Sequence, residues 1–592
     1  MKKLKLENTL HYLILIIVAI IMSIPLFQVG IHTGHDGDFH ISRTIGTIEQ
    51  ITHGNSPFII SRFSNNLGFG WNLFYPPVST LINVIFAILT GNVVIAMKIF
   101  IFITFVFSGI TMYKLVKTIT SNNLSALLAG IFYMIAPYRL LNTYTRLAVG
   151  EMISFVFIPI IFRGVYYILN GKTQKSYLYI FGTIGLILSH NISTLLTFIL
   201  GFFYVLINIK NLKDKNIFKT LCISTAIIIL SVLFFEVPLL EQKSAVDLEV
   251  FRYGKMYSNS SVMGHALNPL QLLLKHADGP DSSMYFCIGI PILLGILLTP
   301  FTYKINKNKN YKYFLIVGFM ATIMSTFIFP WSIMPDILLM IQFPWRMLVV
   351  IVFCFSIISG INISNFIDYI INKFKDTNFY KLNDYSLINK LSVLTLIIIL
   401  SCLYSMSFIQ NLDVKVIDNK FYEEPETIDS KNQVSKYSSF LEYWPQKAID
   451  SIDYIINRDT KVSFISGKAD ITGEVKEDGI LDFEVSNIQE HTTLELPYLF
   501  YKGYQVTYTS NDSNEKIKLD VTESDKGLVQ LQLDTSINGH IHVEYHATPI
   551  HKICIVISFS TMIIYILFLL VTLLRNKTNS SYEIKLLENK SK

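Results

Sequence analysis

The chain has 592 residues, of which 51% are hydrophobic and only 16% are charged, and its mean hydropathy is +0.45. A soluble protein carries roughly a quarter charged residues, so this composition excludes an ordinary soluble enzyme and indicates a polytopic membrane protein. The net charge of +6 requires no nucleic-acid partner, because the basic residues lie mainly where membrane topology explains them. The cysteines lie within or beside apolar segments, so no disulfide framework is predicted for the loops.

Apolar runs of about twenty residues, the length that crosses a bilayer, predict about twelve transmembrane helices. The first run follows a basic amino terminus without the cleavage pattern of a secretory signal, so we expect it to be retained. Residues 78–89 are expected to form a half-span or re-entrant segment, because a full crossing there would move the basic loop around Lys114 outside. The predicted spans are residues 10–29, 94–114, 124–137, 151–169, 178–190, 192–209, 217–240, 285–301, 313–330, 345–363, 391–408 and 551–574.

The placement of lysine and arginine predicts the orientation of these helices. Basic residues concentrate in alternate loops and at both ends of the chain, which places both termini in the cytoplasm. The sequence therefore predicts a mostly α, multi-pass membrane protein in three parts. These are a transmembrane domain at 1–409, an extracytoplasmic β-rich domain at 410–549, and a final transmembrane helix with a cytoplasmic tail at 550–592.

The domain at 410–549 shows short runs that alternate apolar with polar residues, separated by Gly, Asn, Asp and Ser. This spacing predicts a small antiparallel β-sandwich. We find no nucleophile–base pair and no metal-ligand spacing in the domain, so we expect a folded spacer without catalytic residues. The predicted strands are residues 461–472, 480–485, 493–497, 504–509, 516–521, 528–533 and 540–545.

The first outer loop concentrates polar residues directly after the first span, in the stretch His-Thr-Gly-His-Asp-Gly-Asp-Phe-His-Ile-Ser-Arg at 32–43. On a helix, Asp36 and His40 share a face, and Arg43 follows three residues later. A carboxylate here can take a proton from an attacking hydroxyl. Alternatively, Asp36 and Asp38 can hold a divalent metal, Mg²⁺ or Mn²⁺, that shields a phosphate. A solvated loop with local salt bridges is the third interpretation, and spacing alone does not choose between them.

The second outer loop contains Arg139 and Arg146 and ends at Glu151, at the mouth of the next span. The planar fork of arginine binds two phosphate oxygens at once, so these side chains are candidates for holding a phosphorylated ligand. A secondary transporter would place its ionisable groups near the bilayer midplane. Here they fall near the outer interface, where an enzyme that uses a lipid phosphate needs its site.

Three further residues end or precede spans on the same side. His190 stands at a predicted helix end, where it is either a helix-end histidine or part of the site. Arg346 follows Trp345, so it is either an interfacial residue or a phosphate ligand. Tyr75 belongs to an aromatic loop at 68–77 that can stack on a sugar ring, although aromatic residues are also common at membrane interfaces without a ligand.

The order of these motifs resembles the GT-C superfamily of membrane glycosyltransferases. The first loop with Gly34-His35-Asp36, the Tyr75-Pro76-Pro77 turn and the element from Arg146 to Glu151 carry the resemblance. More narrowly, the chain is similar to bacterial YfhO-type proteins and to their relatives labelled pyruvoyl-tetrahydropterin-synthase-related, a label that describes no chemistry visible in these motifs. The motif Ile-Gln-Phe-Pro-Trp-Arg at 341–346 and the segments Leu-Pro-Tyr at 496–498 and Tyr-Lys-Gly-Tyr at 501–504 extend the similarity over nearly the whole chain.

This resemblance implies transfer of a sugar from a polyprenyl-phosphate donor to a cell-envelope glycan or glycolipid at the outer face of a bacterial membrane. By position, Asp36 is the catalytic carboxylate, although the Asp-Gly-Asp sequence leaves the base open between Asp36 and Asp38. Two other functions stay open: a flippase or transporter of lipid-linked sugars, and a non-catalytic scaffold for envelope assembly. The predicted catalytic residues are Asp36, Asp38, His40 and Glu151, and the predicted substrate-binding residues are His35, Arg43, Tyr75, Arg139, Arg146, His190 and Arg346.

Overall fold

The computed structural model describes residues 2–248, 258–273, 284–304, 306, 308–374, 385–409, 428–429, 434–435, 441–511 and 515–590. These residues form a mostly helical protein with a β-sheet domain near the carboxyl terminus, as predicted. The helices are α1 (Lys2–Met22), α2 (Gly37–Thr52), α3 (Trp71–Phe74), α4 (Val78–Thr90), α5 (Val93–Thr120), α6 (Asn123–Ile135), α7 (Pro137–Leu140), α8 (Val149–Leu169), α9 (Tyr177–Ile187), α10 (Asn191–Leu206), α11 (Lys215–Ala245), α12 (Asn259–Gly264), α13 (Pro269–Leu273), α14 (Ile290–Leu297), α15 (Thr299–Thr302), α16 (Lys309–Met324), α17 (Asp336–Leu339), α18 (Leu348–Phe374), α19 (Tyr385–Met406), α20 (Gln446–Asp450), α21 (Ile452–Asn457) and α22 (Pro549–Lys590).

Fewer helices than predicted are long enough to cross a bilayer. Within the described residues, five helices are long and apolar enough to cross a bilayer. Helix α6 and the segment at Pro137–Thr145, which is bent by 44° relative to it, make a sixth if they are counted as one span. Several predicted spans are shorter or broken. The span predicted at 285–301 is divided into α14 and α15, and Pro300 in the first turn of α15 has no N–H to continue a hydrogen-bonded helix. The five long helices are Val93–Thr120, Val149–Leu169, Lys215–Ala245, Pro344–Lys373 and Pro549–Arg575.

The loop between α1 and α4, here called the first loop, contains more regular structure than the sequence analysis predicted. Helix α2 occupies 16 residues of it, and Asp36 stands at its amino-terminal cap position. Helix α4 covers the segment predicted as a half-span and has 13 residues. That length is short of the roughly 20 residues that a crossing requires.

The β-domain contains a four-stranded and a five-stranded antiparallel sheet, and residues 428–429 pair with 434–435 in a separate two-stranded antiparallel sheet. Strands β3, β6, β10 and β9 form one sheet, and β4, β5, β11, β7 and β8 form the other. The run predicted as one strand at 461–472 contributes to both sheets, because the chain leaves the first sheet at Ser466 and enters the second at Asp470. The strands are β1 (Ile428–Asp429), β2 (Val434–Ser435), β3 (Ser463–Ser466), β4 (Asp470–Glu477), β5 (Ile480–Ser486), β6 (Thr493–Leu499), β7 (Tyr504–Ser510), β8 (Lys516–Leu519), β9 (Val521–Glu523), β10 (Leu528–Gln532) and β11 (Gly539–Tyr545).

The β-domain packs directly on the first loop. The Leu499 amide donates to the Leu67 carbonyl at 3.0 Å. The indole nitrogen of the buried Trp444 donates to Ser64 Oγ at 3.1 Å. Buried polar groups are rarely left without partners, so these bonds fix how the two parts meet. The segment around Trp444 is thereby held beside the loop that carries Asp36.

Candidate functional site

Arg146 lies at the centre of the candidate site, between two carboxylates. Its Nη2 is 3.3 Å from Asp36 Oδ2, and its Nη1 is 3.0 Å from Glu151 Oε2. The Glu151 side chain is 2% exposed, whereas that of Asp36 is 38% exposed, so the open side of the group is the Asp36 side. Burial alone would lower the pKa of Arg146, but the two carboxylates raise it above its ordinary value. Arg146 therefore stays positively charged although it is largely buried.

The backbone joins the loops that carry Asp36 and Arg146. The Asp36 amide donates to the Arg146 carbonyl at 2.8 Å. Gly34 has φ +54°, and a Cβ there would stand 2.3 Å from the Thr145 carbonyl oxygen, so only glycine allows the loops to approach this closely. Leu147 has φ +53°, a conformation that costs a non-glycine residue of the order of 1 kcal/mol or more. Backbone strain of this kind is concentrated at functional sites.

Both carboxylate oxygens of Glu151 have partners. Oε2 pairs with Arg146, and Oε1 accepts from the Tyr138 hydroxyl at 2.5 Å. Glu151 lies in the first turn of α8, where the helix dipole favours a negative charge. The residue before it, Gly150, has room for no side chain, because a Cβ would stand 2.6 Å from the Ser189 carbonyl oxygen and 3.1 Å from the Tyr75 hydroxyl. The start of α8 thus brings the predicted Tyr75 and the segment around Ser189 to Glu151.

His190 is a helix-end histidine, as one of the two interpretations of the sequence predicted, and it lies beside the candidate site. It is the amino-terminal cap of α10, and its Nδ1 accepts a hydrogen bond from the Ser193 amide at 3.2 Å. An acceptor nitrogen carries no proton, so the neutral ring has its proton on Nε2. The ring also lies beside Gly150, whose Cβ would stand 3.5 Å from His190 Cδ2. His190 is therefore a capping residue that also borders the Glu151 side of the site.

Arg346 is buried in the protein, with only 9% of the residue exposed. Its Nη1 donates to the Ile341 carbonyl at 3.1 Å and to Gln342 Oε1 at 2.6 Å. The Arg346 guanidinium lies 5.8 Å from the centre of the Trp345 ring, and the Arg146 guanidinium lies 4.9 Å from the same ring. One aromatic ring thus contacts both arginines, at distances where a cation and a ring attract each other. Gln342 has φ +64°, so a second strained residue stands beside a site arginine.

The remaining residues of the first loop differ in their environment. His35 is exposed, and Asp38 is partly buried in the first turn of α2. His40 is buried, and its ring packs against Tyr75 with the ring centres 5.5 Å apart. Burial, together with the charge of Arg43, lowers the pKa of His40. The imidazole is therefore neutral near pH 7 and can act only as a neutral donor or acceptor.

Asp36 and Asp38 do not belong to a metal-binding group in the part of the chain that the structure describes. That part contains no cluster of three or more His, Cys, Asp or Glu residues placed to hold an ion. One oxygen of Asp36 also pairs with Arg146. A site made by the protein needs several oxygen or nitrogen ligands converging on one point. The two aspartates alone do not provide one.

Two of the predicted ligand-binding arginines hold protein segments. Arg43 is fully buried and donates to Asn72 Oδ1 and to the Tyr75 carbonyl, each at 2.7 Å. Burial lowers the pKa of Arg43 to about 10. Arg139 is also fully buried and donates to Thr104 Oγ1 at 2.7 Å and to Thr143 Oγ1 at 3.1 Å. These bonds direct the guanidinium groups toward the protein, so both arginines fix the segments around the site.

Glu442 is a site residue that sequence reasoning missed. It lies at the start of the β-domain. Burial is the main cause that raises the pKa of Glu442 to about 7; the negative charge of Asp36 adds to this increase, and the positive charge of Arg346 opposes it. Its neighbour Tyr443 stacks on Phe74 with ring centres 5.2 Å apart and holds the segment in place. The β-domain therefore brings a carboxyl group close enough to Asp36 and Arg346 to interact with their charges, while its role as a spacer without catalytic residues stays a prediction. The only signal in the sequence was one acidic residue in the aromatic stretch Glu-Tyr-Trp-Pro at 442–445.

Comparison with known proteins places the chain in a family. The family described as "6-pyruvoyl-tetrahydropterin synthase related domain; membrane protein" matches residues 73–410, more than half of the chain. This range includes Tyr75, Arg146, Glu151, His190 and Arg346. An uncharacterized protein of Lactococcus lactis subsp. cremoris (strain MG1363) is 22% identical over 623 residues, covering 95% of each chain. The chain therefore belongs to the 6-pyruvoyl-tetrahydropterin synthase related family of membrane proteins.

Proposed function

We propose that this chain is a YfhO-like glycosyltransferase of the GT-C type in the bacterial cell membrane. It moves a sugar from a polyprenyl-phosphate donor to a cell-envelope glycan or glycolipid. In this proposal about twelve segments cross the bilayer, both termini are cytoplasmic, and residues 410–549 lie outside. The observation that carries the proposal is the pair Arg146 and Arg346, which contact one tryptophan ring, with the Asp36 carboxylate 3.3 Å from Arg146.

The two arginines suit the phosphate of the donor. When the bond between the sugar and the phosphate breaks, negative charge develops on the leaving phosphate oxygen. Guanidinium groups held in advance in a water-poor site stabilise such a charge without reorganising, and this is often the largest catalytic term. Glu151 supports this role because it accepts from Arg146 and Tyr138 at the same time and fixes the direction of the guanidinium. We therefore assign Glu151 as a positioning residue.

A carboxylate takes the proton from the acceptor. The acceptor hydroxyl oxygen bonds to the anomeric carbon, the bond from that carbon to phosphate breaks, and the phosphate leaves with the electron pair. Asp36 and Asp38 are candidates for the base, and Glu442 is a third. One oxygen of Asp36 is already engaged by Arg146 at 3.3 Å, which suits Asp36 to orienting this guanidinium. A base works best when its pKa is near the working pH, and the pKa of Glu442 is about 7. We therefore favour Glu442 as the base and Asp36 as the group that orients Arg146 and the acceptor.

The test is a transfer assay with the full chain in lipid nanodiscs and a panel of synthetic polyprenyl-phosphate sugars. Released polyprenyl phosphate is measured by mass spectrometry, with and without envelope glycan as acceptor. We expect release that depends on acceptor and falls about 100-fold or more in Arg146→Gln, the usual effect of removing one stabilising donor. Arg62→Gln is the matched control, since Arg62 pairs with Glu49 outside the site. Movement of the lipid-linked sugar across liposomes without release would instead support the flippase.

A further inference from the structure

A second concave region lies at the far end of α2, where this helix meets the β-domain. It is a cavity of about 330 Å³ between Gln50 and Asn55 on one side and Asp478 and Tyr504 on the other. This volume is at the lower end of the roughly 300–1,000 Å³ range of small-molecule sites. Fourteen residues of chain, mostly α2, separate Asp36 from Gln50. At 1.5 Å per residue, the cavity is about 20 Å from the Arg146 site.

Aromatic rings form much of the cavity wall. Tyr504 packs between Tyr498 and Tyr545, with ring centres 4.9 and 5.3 Å away. The Tyr498 hydroxyl donates to the Gly479 carbonyl, and the Tyr545 hydroxyl donates to the Lys502 carbonyl. By contrast, the Tyr504 hydroxyl has no hydrogen-bond partner in the described part of the chain, although its side chain is only 5% exposed. A buried hydroxyl without a partner is costly, so it points to a polar ligand.

The polar groups of the cavity include both donors and acceptors, and two carboxylates stand against one lysine, Lys552. Asp478 and Glu544 bring carboxylates to the wall, and their side chains are partly exposed. Asp478 pairs with His53 at 3.3 Å, and Glu544 pairs with His546, so the carboxylates are held in place. Two carboxylates disfavour a phosphate, and a hydrocarbon chain would offer no hydrogen bond to the Tyr504 hydroxyl. The ligand that satisfies both aromatic faces and fixed acceptors is a neutral sugar, which offers C–H faces to rings and hydroxyl donors to carboxylates.

We propose that this cavity binds a sugar residue of the acceptor, and that the acceptor is an extended glycan rather than a single lipid-linked sugar. The proposal rests on the proposed transferase function, because the cavity and the Arg146 site would hold two parts of one chain. An oligosaccharide of several residues spans about 20 Å, the length that α2 sets between them. The β-domain would then contribute to both acceptor binding and proton transfer.

The test measures binding of short oligosaccharides, released from the bacterial envelope by mild acid, to the full chain in nanodiscs by titration calorimetry. Asp478→Asn and Tyr504→Phe should each weaken binding about tenfold, the usual size of one lost hydrogen bond to a ligand. Asp482→Asn is the matched control, because Asp482 pairs with His540 and His542 elsewhere in the domain. Tyr504→Phe should keep its melting temperature without ligand, which separates a binding role from a structural one.

Arg146→Gln distinguishes this inference from the proposed function. We expect it to lose transfer and to keep the wild-type affinity for oligosaccharide. If no variant or wild-type chain transfers sugar but the cavity still binds oligosaccharide, the transferase proposal fails and the cavity assignment stands. If the wild type binds none of the released oligosaccharides, or if Asp478→Asn and Tyr504→Phe bind them as the wild type does, the cavity assignment is overturned.

Discussion

The substitution Glu151→Gln tests whether the buried carboxylate sets the position of Arg146. In the wild type, Oε1 accepts from Tyr138 and Oε2 accepts from Arg146. Glutamine has one acceptor oxygen and one donor nitrogen. If its oxygen faces Tyr138, its NH₂ group faces the guanidinium, and if it turns around, the NH₂ group faces the tyrosine hydroxyl. In the first orientation the hydrogen bond to Arg146 is lost, and in the second the Tyr138 hydroxyl must accept instead of donate; in both, the negative charge paired with Arg146 is removed from a side chain that is 2% exposed.

The size of the effect follows from the geometry. Removing one partner of a buried ion pair costs about 3–5 kcal/mol, because the other charge stays buried. In the Glu151→Gln variant, Arg146 keeps two partners: Asp36, which pairs with it at 3.3 Å, and Asn142 Oδ1, which accepts from Arg146 Nη1 at 3.0 Å. We therefore expect a smaller loss, about 2–3 kcal/mol of unfolding free energy. Transfer should fall by about tenfold or more, since a guanidinium that has moved stabilises the leaving phosphate less well.

Two measurements on the same samples check this prediction. Thermal unfolding of the detergent-solubilised chain reports stability, and the transfer assay reports activity. Glu49→Gln is the matched control, because Glu49 pairs with Arg62 at 2.5 Å in a part-exposed position where such a pair is worth about 0–1 kcal/mol. If Glu151→Gln and Glu49→Gln have the same small effect on stability and rate, the reasoning about Arg146 is refuted.

Three further predictions concern Asp36, Asp38, Glu442 and Gly34. In the transfer assay, Asp36→Asn should lower the rate by about tenfold or more, because it removes the charge that orients Arg146, whereas Asp38→Asn should lower it much less, and equal losses would favour a shared role. Glu442 must be ionised to act as a base, so the wild-type rate should fall as the pH drops below about 7. The Glu442→Gln variant should be slow at every pH and should not show this fall. If the variant has the same pH profile as the wild type, Glu442 is removed from the mechanism. Gly34→Ala should lower the melting temperature, because Gly34 has φ +54° and an alanine Cβ there would stand 2.3 Å from the Thr145 carbonyl oxygen. A variant that melts at the wild-type temperature would contradict the close contact between the two loops.

Sequence reasoning found much of the site because a membrane protein has no packing reason to gather charges at one end of its helices. Asp36, Arg146, His190 and Arg346 all stand at such ends, and the structure brings these four residues together. The sequence could not separate the arginines that we propose as phosphate ligands from those that hold protein segments. Arg43 also lies in the polar first loop, but its guanidinium is used by Asn72 and the Tyr75 carbonyl, which only the folded loop brings within reach.

The predicted fold class is confirmed at the coarse level, while the details depend on contacts that hydropathy does not report. Apolar length predicts a span, yet α9 and α14 have only 11 and 8 residues. Packing against neighbouring helices determines such ends as much as composition does. Glu442 was missed for the same reason, since Asp36 and Arg346, whose charges act on it, are 406 and 96 residues away along the chain. A lone acidic residue beside aromatic ones has no spacing that marks it.

The most direct test of the central claim is the glycan composition of the bacterial envelope with and without this protein. Deletion should remove one sugar from an envelope glycan or glycolipid, and the wild-type chain should restore it. Arg146→Gln, made at the wild-type level, should fail to restore that sugar, whereas Arg62→Gln should restore it fully. An unchanged composition after deletion, or full restoration by Arg146→Gln, would contradict the assignment of Arg146 to a glycosyltransferase site.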